Sequence, residues 1–87
     1  MTIETLLCHL EAEKERTTVE LQDYYEKTKE TAKEIKRFYK DPFVSPEEIP
    51  KDLMQKHAEY YHYYSATHYT LNRIIDTISI IKERVGE

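Results

Sequence analysis

The chain has 87 residues, with 13 basic and 17 acidic side chains for a formal charge of −4, and a single cysteine. That length permits one domain at most, and a lone small domain leaves much apolar surface bare unless a partner covers it. Cys8 alone excludes an intrachain disulfide and falls short of a zinc-finger pattern, while a net acidic balance argues against clamping a phosphate backbone.

The first residues offer too short an apolar run for a secretory leader and carry Glu4 where such leaders are basic; no stretch nears the roughly 20 apolar residues of a membrane span. The expectation is a soluble, cytoplasmic protein without membrane contact. Its one glycine is Gly86, and its three prolines, Pro42, Pro46 and Pro50, all fall in the middle. The chain is thus punctuated once.

Before that break, apolar or neutral residues recur at Ile3, Leu7, Leu10, Thr17, Leu21, Tyr24, Thr28, Thr31, Ile35 and Phe38, with Lys14 the one charged member of the series. Alternating steps of four and three mark a helical stripe, not the two-residue period of a strand. Thr2 is suited to cap this helix, and Glu4 lies in the first turn, where the helix dipole favours an acid. The helix is expected over about 3–40.

The connection, 41–49, carries Ser45 with Glu48 three residues later, the spacing of a capping box, and Pro46 where a first-turn proline is tolerated. Pro50, four residues after Pro46, would clash with the preceding turn, so 46–49 is expected to form a separate short turn.

The second helix, about 50–85, repeats the spacing at Leu53, His57, Tyr60, Tyr64, Thr67, Leu71, Ile74, Ile78, Ile81 and Val85. A parallel series, Met54, Tyr61, His68 and Ile75, widens the apolar arc beyond what a two-stranded seam needs. Ala58, Ser65, Asn72 and Ser79 run along its edge, small enough to admit another helix. Two helices of roughly 36 residues, each about 54 Å long, joined by a short link, predict an all-α, antiparallel two-helix hairpin in a single domain. The uncovered arc predicts a dimer of hairpins forming a four-helix bundle, its core drawn from His57, Tyr60, Tyr61, Tyr64, His68, Leu71, Ile74 and Ile78.

The stretch HAEYYHYYSATHY, 57–69, holds three of the four histidines and five of the eight tyrosines. Its histidines are five and six residues apart, about 140° and 120° around a helix, so they cannot converge on one ion. Glu59 and His62 form a Glu-x-x-His unit of the kind that di-metal bundles use twice, with Glu30 or Glu34 at a matching height. Both face away from the apolar arc, so no metal or other cofactor is the preferred expectation and Glu59 with His62 the alternative. His57 and His68, on the arc, would make association acid-sensitive if buried in a dimer.

Catalytic groupings are missing: there is no nucleophile elbow and no glycine-rich loop, and Cys8 and His9 diverge by about 100° on a helix. The expected function is a non-enzymatic protein–protein interaction module, an adaptor, inhibitor or assembly factor of the size and style of small phage or bacterial regulators. Its partners would be a second copy and another protein, with Tyr63, Tyr69, Ile80, Glu11, Glu15 and Asp23 as candidate contacts. A third reading, RNA binding, rests on Lys33, Lys36, Arg37 and Lys40, which give 31–40 a local charge of +3. Cations at a helix C-terminus are explained more simply by the dipole, and nucleic acid is not the expected partner.

Overall fold

A computed structural model describes residues 2–40, 42–43 and 48–86. Two helices account for nearly all of them: α1, Ile3–Lys40, and α2, Lys51–Gly86. They pack against one another as a hairpin, and no strand occurs among the described residues.

Helix α1 starts as its first residues dictate. The Thr5 amide donates to Thr2 Oγ1 at 3.1 Å and the Leu6 amide to the Thr2 carbonyl at 3.0 Å, so one threonine supplies both the side-chain cap and the first helical acceptor. At its other end Arg37 and Lys40 occupy the last turn, where unpaired carbonyls favour cations. Helix α2 begins one residue after Pro50, whose carbonyl accepts from Leu53 N at 3.1 Å and Met54 N at 3.2 Å. Proline suits that flank because it has no amide to leave unpaired. Ser45 and Pro46 lie outside the described residues; Glu48 sits in a single 3₁₀ turn. Ile49, a connection residue with no part in either helical stripe, is buried at that end of the rod.

The seam follows the four-three spacing closely. Every residue of α2 that is not exposed belongs to the stripe from Leu53 to Ile81, and on α1 the corresponding residues run from Leu7 to Phe38. Ile3 and Val85, the outermost members, are exposed because the opposing helix covers them least. A spacing averaging 3.5 residues keeps one stripe on the contact along the whole length, the geometry of an antiparallel coiled coil. Lys14 stays in the series half-buried, which its long aliphatic stem allows while the ammonium reaches water.

The result is one layer of two helices. Its extents are 65 × 19 × 14 Å and its radius of gyration is 19.3 Å, against about 12 Å for a compact domain of this length. Among the described residues, Ile49, Ile74 and Ile78 are the buried apolar side chains, Thr17 and Thr31 are the buried polar ones, and no side chain is fully enclosed. The hairpin exposes 7162 Å², about 1,700 Å² more than a compact monomer of its mass.

No helix among the described residues is long and apolar enough to cross a membrane.

Candidate functional site: the two broad sides of the rod

A two-helix rod has two broad sides, each formed by the residues flanking the seam. On one side α1 contributes the row Glu4, Glu11, Thr18, Tyr25, Ala32 and Tyr39, and α2 the row Met54, Tyr61, His68, Ile75 and Lys82. Contacts fix this assignment. Lys82 Nζ donates to Glu11 Oε1 at 3.3 Å, and Tyr25, Ala32, Tyr61 and Tyr64 line a common, largely apolar groove. Tyr25 also packs on Tyr64, ring centroids 5.9 Å apart. Within these two rows Glu4, Glu11 and Lys82 lie at the end away from the connection, and Lys29, from the neighbouring row of α1, also lines the groove.

The opposite side is polar. Glu13, Arg16, Glu20 and Thr70 border one groove there, and Lys27, Glu30, Glu34, Lys56 and Glu59 another. Lys27 anchors it. Its Nζ donates to Asp23 Oδ2 at 3.0 Å and lies 5.9 Å and 5.7 Å from the rings of Tyr24 and Tyr60. The hydrogen bond to Asp23, and then that carboxylate's charge, hold the ammonium pKa above its ordinary value.

The residues expected to form a dimer core divide in two. His57, Tyr60, Tyr64, Leu71, Ile74 and Ile78 are spent against α1 of the same chain, in the seam; Tyr61 and His68 stand exposed on the apolar side. His57 has a definite partner, with Thr31 Oγ1 2.7 Å from its Nδ1. The same hydroxyl lies 3.1 Å and 3.0 Å from the carbonyls of Lys27 and Thr28, to which it can donate. With its one proton so used, Thr31 accepts from His57 Nδ1–H. His68 is exposed, its Nδ1 3.3 Å from Asn72 Nδ2 and its ring 6.1 Å from that of Tyr64.

The six candidate partner contacts do not converge on one patch. Tyr63 lies on the polar side, stacked on Tyr24 at 5.6 Å with 30° between the rings, a contact that one helix's periodicity cannot reveal. Tyr69 is on the outer edge of α2, with Arg73 Nη1 donating to its hydroxyl at 3.3 Å; Ile80 is exposed about three turns further along the helix. Glu11 pairs with Lys82 on the apolar side, Asp23 with Lys27, and Glu15 is exposed on α1.

The metal alternative gains no cluster. Among the described residues no group of three or more His, Cys, Asp or Glu side chains could hold an ion. Glu59 accepts from Gln55 at 3.3 Å and shares its groove with Lys27 and Lys56, while His62 is exposed with its ring edge toward Tyr63. Lys33, Lys36, Arg37 and Lys40 are all exposed on the last turns of α1. Cys8 is an exposed free thiol.

Compared with known protein families, curated proteins and solved structures, the chain matches none.

Proposed function

We propose that the protein is a non-catalytic helical interaction module that works as a homodimer, two hairpins forming a four-helix bundle whose outer faces engage another protein. The observation that carries this reading is the division of the rod into one apolar, aromatic side and one polar side. Contiguous apolar surface of this kind on a small chain marks a site of association, because its exposure to water is unfavourable. A single layer of two helices has no other way to cover it.

In the bundle, the outer edges of both helices remain available. Tyr69 and Ile80 on α2 and Glu15 and Asp23 on α1 would then serve a further, protein partner, with the acidic α1 edge suited to a basic surface. Native mass spectrometry of the assembly isolated from its source cells tests the reading. Two copies of this chain, alone or with a second protein, support it. One copy bound to a different protein contradicts the homodimer and leaves a hetero-complex in its place.

A further inference from the structure

The apolar broad side specifies both its occupant and the direction in which that occupant lies. Resting on the dimer reading above, we infer that this side docks on the same side of a second copy, with both connections at one end of the bundle and α1 of each hairpin lying over α2 of the other.

Exposure singles out the side. Tyr25 is 46% exposed, Met54 45%, Tyr61 58%, Ile75 37% and Tyr39 62%, a run of large apolar groups along about half of the rod, on the connection side. Each lies next to a seam position in sequence, about 80° from the centre of the seam at roughly 100° per residue. They therefore point out of the two-helix layer toward whatever lies above it. Area allows a second copy: a side 65 Å long and 19 Å wide offers on the order of 1,000 Å² per copy, against roughly 800 Å² per partner in a stable interface.

Charge decides direction. Apart from His68, the charged groups in the two rows are Glu4, Glu11 and Lys82, all at the end away from the connection; Lys29 borders the groove from the neighbouring row of α1. A two-fold axis parallel to the rod keeps those ends together, so that Glu11 of one copy reaches Lys82 of the other just as it reaches its own. Along the rest of the face, Tyr25 then enters between Tyr61 and His68 of the second copy, and Ala32 leaves room for Tyr61. An axis perpendicular to the rod would instead lay Glu11 over Ala32 and Lys82 over Met54. The Glu11–Lys82 pair of each copy would then be desolvated against apolar groups instead of lying beside the other copy's pair, which is costly. Rim pairs that the reversed arrangement could form, such as Glu15 with Lys29, are exposed and contribute little.

Two measurements test this. In sedimentation equilibrium, Tyr61→Glu and Ile75→Glu should each weaken the dimer at least about 100-fold, as for an unpaired charge placed in an apolar interface. Helix content should be unchanged, since neither side chain belongs to the seam. Thr70→Glu, on the polar side, should leave the dimer intact. A wild-type chain that stays monomeric overturns the dimer reading itself, whereas a dimer broken by Thr70→Glu and not by Tyr61→Glu overturns only the choice of side. For direction, a nitroxide on the native Cys8 needs no change to the fold. The connection-together bundle places the two labels about 30 Å apart, the width of a four-helix bundle plus the label arms. The reversed bundle separates them by about 27 residues of helix rise, 40 Å or more, and that distance would overturn the inferred direction.

Discussion

Thr31 and His57 form a hydrogen-bonded polar layer across the seam, and its two halves should respond unequally to mutation. Removing the hydroxyl with Thr31→Val leaves the His57 Nδ1–H without the acceptor that lies 2.7 Å away, in a part-buried position. An unsatisfied buried donor costs about 1–3 kcal/mol, and partial water access puts the expectation near the lower end, about 1–1.5 kcal/mol. Removing the imidazole with His57→Leu does less harm. Thr31 Oγ1 keeps the carbonyls of Lys27 and Thr28 within 3.1 Å, and leucine adds apolar area to the seam. The double variant should match His57→Leu alone, giving a coupling energy of about 1 kcal/mol, within the range for residues in direct contact. Urea unfolding followed by circular dichroism reads this out, at one fixed protein concentration because dimer dissociation makes midpoints concentration-dependent. With a slope of about 1 kcal/mol/M for so small a protein, Thr31→Val should lower the midpoint by about 1 M. Additive effects of the two substitutions, with no coupling, would refute the hydrogen-bonded layer.

The seam and the outer faces should separate cleanly under truncation. Ile78→Ala, at a position 5% exposed, should cost about 2–4 kcal/mol, whereas Ile80→Ala two residues away should stay within about 0.5 kcal/mol; equal losses on urea unfolding would contradict the assigned register. Lys27 should contribute stability that fades only in strong alkali. Because folding raises its pKa, its contribution is fully present below the ordinary lysine value of about 10.4 and disappears as pH rises through the raised one. The melting-temperature gap between wild type and Lys27→Met should therefore hold steady from neutral pH to about pH 10 and shrink above it; a gap that narrows below about pH 9 would contradict the Asp23 pairing.

The four-three spacing made both helices and their contact stripe legible from the residues alone, because seam burial obeys the same period as the helix. The deepest seam positions on α1, Thr17 and Thr31, were placed on the stripe by spacing, but nothing in their chemistry marked them as more buried than Leu7 or Leu10. What one helix cannot disclose is what lies across from it. Tyr63 reads as an outward residue until Tyr24 is set opposite, and His57 reads as a core histidine until Thr31 supplies its partner. The register that joins them depends on where the chain turns, and the burial of Ile49 depends on the path of that turn. The wide arc on α2 was visible in the series Met54, Tyr61, His68 and Ile75. That α1 presents Tyr25, Ala32 and Tyr39 on the same side follows only once the two helices are in register.

The central claim, that the bare side of the rod is covered by a second copy lying alongside, is tested most directly by small-angle X-ray scattering on the purified chain. One hairpin has a mass of 10.5 kDa and a length of 65 Å. A second copy lying alongside gives about twice that mass, roughly 21 kDa for a two-fold dimer, in a particle of essentially unchanged length whose thinnest dimension has grown by about one helix diameter, 10 Å. A particle with the mass of one chain, or one of doubled mass and doubled length, would contradict it.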